Sequence, residues 1–222
     1  NIVGIAFCWE AGEGYYVPFP TQREKALSLL EEFKPVFTCK AEKIGHNLKF
    51  DLGVLRWHGI NVEGPFFDTM LAAALVDPDS RRNMDYLAQS LLNYNTISIS
   101  DLIGRGDEQL SMSLVPVDQV VEYAVEDADV TWQLSSILRQ RLNEQGQDRV
   151  FYDVESPLLS ALVDMEYAGI HMDVRVLKRM STEFGSEILN LTKIIFELAG
   201  EEFNLNSGRQ LGNILFDKLA LD

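Results

Sequence analysis

The sequence predicts an α/β domain followed by an all-helical segment. Three observations carry this. Stretches with strand patterning alternate with stretches of helical patterning through about residue 80. From Pro116 onward nearly every periodic stretch has helical spacing. A polar, glycine-bearing stretch, Glu144–Arg149, interrupts that helical region and is the best boundary candidate. The expected division is therefore residues 1–149 and residues 150–222.

Taken in order, Asn1–Trp9 is rich in Ile, Val and Phe, and Tyr15–Phe19 resumes the pattern. The glycines between them predict a hairpin. Thr21 is positioned to cap a helix over Gln22–Phe33, with Ala26, Leu29, Leu30 and Phe33 on one face and Pro35 ending it. Lys43–Gly45 reads as the end of a buried strand, Asn47–His58 as a helix closed by Gly59, and Ile60–Phe67 as extended. Asp68 predicts an N-cap for Thr69–Val76, which Pro78 stops. Asn83–Asn93 has helical spacing, Ser100–Gly106 reads as a turn region, and Pro116 opens a long helix running toward Asn143. Three more helices follow, over Phe151–Tyr167, Val174–Leu198 and Ser207–Leu219. The second of these carries Leu177, Met180, Phe184, Ile188, Leu191, Ile195 and Leu198 on one face, a stripe expected to pack on chain beyond Asp222.

The chain has 222 residues, 46% hydrophobic and 24% charged, which is ordinary globular composition. No apolar run approaches the roughly 20 residues of a membrane helix, so no membrane role is expected. No secretory leader opens the chain, and its first residue is not Met. A cytoplasmic fragment of a longer protein is the expectation. A net charge of −15 argues against a passive nucleic-acid-binding module. It leaves open an enzyme that holds divalent cations among carboxylates, because bound ions reverse the local field. Cys8 and Cys39 match no metal spacing and read as free thiols, and His46, His58 and His171 are too scattered for a zinc site.

Two segments could carry chemistry. In Gly45-His46-Asn47-Leu48-Lys49-Phe50-Asp51, Asn47 and Asp51 are four apart and would share a helix face at the carboxyl end of a strand. In Tyr123-Ala124-Val125-Glu126-Asp127, Tyr123 and Asp127 have the same spacing. Two carboxylates brought together from separate helices suit Mg²⁺ or Mn²⁺. Two such ions can clamp the attacking and leaving oxygens of phosphodiester hydrolysis, and a nearby phenol can orient the water. An Asp four residues from an Asn or Tyr is also a common solvated helix face, so spacing alone leaves the question open.

These segments resemble two of the three exonuclease motifs in the proofreading domain of family A DNA polymerases. Asn47-Leu48-Lys49-Phe50-Asp51 is similar to the second motif, and Tyr123-x-x-x-Asp127 to the tyrosine form of the third. Phe67-Asp68-Thr69-Met70-Leu71 and Met84-Asp85-Tyr86-Leu87-Ala88 match the family in order and spacing. Met165–Asp173 resembles the segment opening the polymerase domain, and Phe203–Leu211 the Asn-x-x-Ser stretch at the thumb base. A ribonuclease D-like enzyme shares the Tyr-x-x-x-Asp segment but would lack that tail.

The resemblance implies a ribonuclease H-like mixed-sheet domain that removes nucleotides from a DNA 3′ end with two divalent ions, Mg²⁺ or Mn²⁺. Asp51 and Asp127 would be metal carboxylates, with Tyr123 orienting water beside Asp127. Asn47 would contact the terminal nucleotide and Arg81 a phosphate. His46 stands where the family often has Gln. Asn206 and Ser207, with Arg209, would touch DNA on the polymerase side, although helix capping suffices for Ser207. The expected partners are a single-stranded or frayed DNA 3′ end and a polymerase domain in cis, in a monomer. The family's first motif, Asp-x-Glu, does not precede Asn1-Ile2-Val3-Gly4, which resembles the strand after it. A fragment without that motif would bind metal poorly and be nearly inactive, and a non-catalytic scaffold is the further alternative. Asp68 is expected as a cap, Glu126 and Asp129 as surface or capping groups, and Lys49 and Arg56 as facing either nucleic acid or solvent.

Overall fold

A computed structural model describes residues 2–221. The chain forms two compact units, one ending at Gly169 and one beginning at Ile170. In the first unit, β1 (Gly4–Glu10) and β2 (Glu13–Pro18) form the expected antiparallel hairpin, with Gly4 opposite Pro18 and Glu10 opposite Glu13. Gly12 takes a φ of 81° in the turn, where a side chain would be strained. Helix α1 spans Arg23–Glu32, and no side chain caps it, so Thr21 does not play the expected part. Pro35 does not end helicity either. It sits in the first turn of α2 (Lys34–Thr38), where its missing N–H costs nothing.

Strand β3 (Lys43–Gly45) pairs in parallel with β4 (Phe66–Asp68), and Gly45 faces Asp68. Between them runs α3 (Leu48–Trp57). Of the stretch expected to be extended, only Phe66 and Phe67 enter a strand. Helix α4 (Thr69–Val76) starts at the predicted cap. Helix α5 (Met84–Leu87) passes into a π turn over Ala88–Leu92, which Asn93 ends at a φ of 54°. Helix α6 (Ile99–Ile103) occupies the expected turn region, because Ser98 supplies a cap to Ser100 N–H and Gly104 supplies a stop. Helix α7 runs over Val117–Glu144, followed by α8 (Asp148–Val150), a π turn over Phe151–Glu155, and α9 (Ser156–Ala168).

The architecture is mixed α/β and mostly helical. The strands make two separate two-stranded pieces among the described residues, where one mixed sheet was expected. β3 and β4 are three residues each and satisfy mainly one another. What unites the pieces is α7, which packs against β1, β2, β3 and α4. The largest core cluster joins Val130, Leu134, Leu138 and Leu142 of α7 to Phe67, Ala72, Ala73 and Phe151. A second cluster joins Leu48 and Leu52 of α3 to Phe66, Leu159 and Val163.

The first unit therefore continues past the polar stretch 144–149. The Phe151 ring lies 4.8 Å from that of Phe67, and the Ser156 hydroxyl donates to the Phe66 carbonyl at 2.8 Å. Burying a Phe of this size stabilises by roughly 1.5–3 kcal/mol, enough to hold this stretch on the core. Lys49 pairs with Glu166, Arg56 pairs with Asp164 at 3.3 Å, and the Arg56 guanidinium lies 5.0 Å from the Tyr167 ring centre. Both cations thus brace α3 on α9, a use the sequence did not suggest.

The second unit contains α10 (Val174–Ala199), α11 (Gly208–Gly212) and a π turn over Asn213–Lys218. Asp173 caps α10 through the Arg175 and Val176 N–H groups.

Candidate functional site

The first cluster of candidate residues is built where β3 and β4 end side by side. Asp68, 3% exposed, terminates β4. Its Oδ1 accepts the Met70 N–H at 2.9 Å and the Leu71 N–H at 3.3 Å, which is the predicted cap of α4. The same oxygen accepts the Asn47 N–H at 3.1 Å, and Oδ2 accepts the Leu48 N–H at 2.8 Å. One carboxylate thus takes four N–H groups from the starts of two helices, groups that have no partner inside their own helices. The sequence showed only the local half. The donors from Asn47 and Leu48 are twenty or more residues away, with no spacing rule to reveal them.

Asn47 is not inside the helix as the four-residue spacing suggested. It is the N-cap residue of α3, in a left-handed conformation at φ 62° and ψ 46°. Asn tolerates that region better than most side chains. Asp51 lies within the first turn of α3. Solvent reaches its side chain, yet the crowding of protein around the carboxyl raises its pKa to about 6, with the charge of Asp68 adding to the effect. Next to Asp68, the Thr69 hydroxyl donates to the Gly45 carbonyl at 3.1 Å and lies 2.8 Å from His46 Nδ1. Burial pushes the His46 pKa down, against the pull of Asp68, and its Nε2 is buried without a hydrogen-bond partner.

The second cluster lies on α7. Tyr123 and Asp127 lie one turn apart, and the phenol and the carboxyl act on each other. Burial and the neighbouring carboxylate push the Tyr123 pKa up, so it remains a phenol at neutral pH. Burial raises the Asp127 pKa to about 6. Tyr123 opposes that rise, and Glu126 and Asp85 add to it. The acids beside Asp127 have other duties. Glu126 accepts the Tyr94 hydroxyl and the Ile97 N–H, both at 2.7 Å. Asp129 accepts the Gly12 N–H of the β1–β2 turn at 2.8 Å and the Gln133 side-chain amide at 2.8 Å. They hold α7 to a loop on one side and to the hairpin on the other.

Asp85, at the start of α5, was quoted in the sequence pattern without a role. Its charge adds to the pKa shifts of Tyr123 and Asp127 and opposes that of His46, and its Oδ1 accepts the Thr96 hydroxyl at 3.0 Å. Arg82 donates to the Pro78 carbonyl at 2.7 Å, whereas exposed Arg81 makes no side-chain hydrogen bond or ion pair among the described residues. In the second unit, Ser207 caps α11 and Asn206 donates its backbone N–H to Asn204 Oδ1 at 3.0 Å. Cys8 and Cys39 are free thiols.

The donor chemistry at Asp51 and Asp127 fits divalent metal ions. Both are carboxylates with no cation partner among the described residues, and both are held at a raised pKa. The number of donors is short of a full site. No group of three or more His, Cys, Asp or Glu side chains converges among the described residues.

A family model described as 3′–5′ exonuclease, of the DNA polymerase A type, matches residues 1–143. DNA polymerase I of Chloroflexus aurantiacus is 37% identical over the whole chain, which covers 24% of that protein. DNA polymerase I of Pseudomonas aeruginosa is also 37% identical over the whole chain, covering 25% of that protein. The chain thus spans about a quarter of the length of these relatives. Among solved structures, the POL domain of Pol1 from M. smegmatis, in complex with DNA primer-template and dNTP, aligns over 94% of this chain and 33% of that one, at 26% identity and a TM-score of 0.70. Brucella melitensis NrnC shares the fold over 71% of this chain and 72% of its own, at 22% identity and a TM-score of 0.57.

Proposed function

Because the chain belongs to the 3′–5′ exonuclease family of A-type DNA polymerases, we propose that it hydrolyses the terminal phosphodiester of a single-stranded or frayed DNA 3′ end, releasing nucleoside monophosphates, as the proofreading part of a DNA polymerase I-like protein. The observation that carries this is the Tyr123–Asp127 pair on α7, where Asp127 makes no hydrogen bond or ion pair to another segment among the described residues, while Glu126 and Asp129 bind other protein donors. A ribonuclease H-like fold, two ions and a polymerase domain in cis complete the reading.

Asp51 and Asp127 would hold Mg²⁺ or Mn²⁺, which when bound supply charge stabilisation at the attacking and leaving oxygens. The protein's own groups position the reactants. Tyr123 is a neutral phenol beside Asp127, and its oxygen would accept a hydrogen from the attacking water. That turns a lone pair of the water toward phosphorus. Asn47 contacts the terminal nucleotide, and the exposed Arg81 guanidinium suits two phosphate oxygens at once. On the polymerase side, Asn206 and Ser207 lie near the DNA backbone in this reading. Asp51 and Asp127 are two of the four carboxylates that the family pattern calls for, so the 222-residue chain alone should be nearly inactive.

The test uses a longer version of the chain that carries the first motif, with 3′-labelled single-stranded DNA, Mn²⁺ or Mg²⁺, and Asp127→Ala beside it. Metal-dependent shortening that Asp127→Ala abolishes is the expected result. A folded wild type that leaves DNA intact would sink this reading in favour of a scaffold. Preference for RNA over DNA would move it to a ribonuclease D-like activity.

A further inference from the structure

We infer that Asp68, with Thr69 beside it, is a positioning residue of the exonuclease reaction: it latches the start of α3, and with it Asn47 and Asp51, to the start of α4. The inference rests on the exonuclease reading above and goes beyond it, since Asp68 touches neither substrate nor the reacting atoms.

A capping residue needs one oxygen and one helix. Asp68 uses both oxygens and serves two helices, with three N–H groups on Oδ1 and one on Oδ2. The donors from α3 are the left-handed Asn47 and the first helical residue, Leu48. These two set the direction in which α3 leaves β3, and Asp51 follows within the same turn. Thr69 adds a second tie through the Gly45 carbonyl and His46 Nδ1. The Asp68–Thr69 dipeptide therefore fixes the backbone from Gly45 to Leu48, the stretch from which the first half of the site is built. Asp68 is almost inaccessible, so its bonds to these groups do not compete with water.

Asp68→Asn separates the two helices. Its amide oxygen keeps the α4 cap, while its NH₂ group faces the Leu48 N–H, donor against donor. Thr69→Val removes the second tie at almost constant volume. Both changes are made in the longer, active protein. In Asp68→Asn, the amides of Leu48 to Asp51 should exchange with deuterium at least about tenfold faster in the metal-free state, with those of α7 unchanged. The kcat on single-stranded DNA should fall roughly ten- to hundredfold, as a displacement near 1 Å can cause. Thr69→Val should show the same pattern with a smaller fall.

A merely structural cap would lower the melting temperature and leave both the kcat of the folded fraction and the exchange of the α3 amides unchanged. That result overturns the inference. If Asp68→Asn does not fold, Thr69→Val decides: unaltered kcat and exchange in it overturn the inference, and losses in both support it. An inactive wild type, or an active Asp127→Ala, would instead overturn the exonuclease reading, and the inference with it. Normal wild-type turnover with unimpaired Asp68→Asn and Thr69→Val overturns the inference alone.

Discussion

Helices α7 and α10 are nearly the same length, 28 and 26 residues, and differ in what surrounds them. α7 buries Val120, Val130, Thr131, Leu134, Ser135, Leu138 and Leu142. α10 has the more regular apolar stripe, yet Ala199 is its one buried residue, and Phe184, Ile188, Leu191 and Leu198 are exposed. A periodic stripe thus reports a face able to pack, not a partner that packs on it. The weaker pattern belongs to the helix with more neighbours, because contacts on several sides spread its apolar residues around the axis.

The sharpest way to break this contrast is to remove an acid from each helix. Asp127→Ala should reduce the exonuclease rate of the longer protein roughly a thousandfold, equivalent to about 4 kcal/mol of lost transition-state stabilisation. Glu187→Ala on α10 should leave the rate unchanged in the same gel assay. Next in size are the apolar positions. Leu138 is 1% exposed and Leu189 is 73% exposed. By urea denaturation, Leu138→Ala should cost about 2–5 kcal/mol, and Leu189→Ala less than about 0.5 kcal/mol.

A smaller effect comes from the unneutralised charge on α7. The folded pKa of Asp127, about 6, lies above its unfolded value, so the folded state binds the proton more tightly. Ionisation therefore destabilises the fold, and stability falls as pH rises through the interval between the two values. Asp127→Asn should stabilise the metal-free protein at pH 7.5 by on the order of 1 kcal/mol, a gain that disappears near pH 4. Thermal melts across that range would show it, and a gain independent of pH would contradict the assignment. The smallest change is expected at the exposed Arg179–Glu183 pair of α10, 3.7 Å apart. Arg179→Ala should alter stability by no more than about 0.5 kcal/mol.

What the sequence revealed followed from how local each signal was. Asp68 capping Thr69–Val76 needs only i, i+2 and i, i+3 contacts, and that helix appears with the predicted bounds. The hairpin, β3 and the long α7 were readable for the same reason. Asn47 was misplaced into a helix because spacing carries no information about the sign of φ. Helix α6 was missed because its Ser98 cap and Gly104 stop enclose only five residues. The second duty of Asp68, the ties of Glu126 to Ile97 and Asp129 to Gly12, and the bracing of α3 by Lys49 and Arg56 all join distant segments. Nothing in a linear pattern ranks those acids above ordinary surface charges.

Helix α7 is also a lever. Val130, Leu134, Leu138 and Leu142 fix it in the main core, and Asp127 sits less than one turn beyond Val130. Only about 4.5 Å of helix separates Asp127 from Val130, so a pivot there would need about 13° to swing the carboxylate by about 1 Å. Glu126 and Asp129 grip the rod beside Asp127, through Ile97 and Gly12. Stiffness of this kind adds little to global stability, and a melting curve would hardly register it. It would show instead as mechanical accuracy at Asp127, held still by neighbouring acids that bond to other parts of the protein.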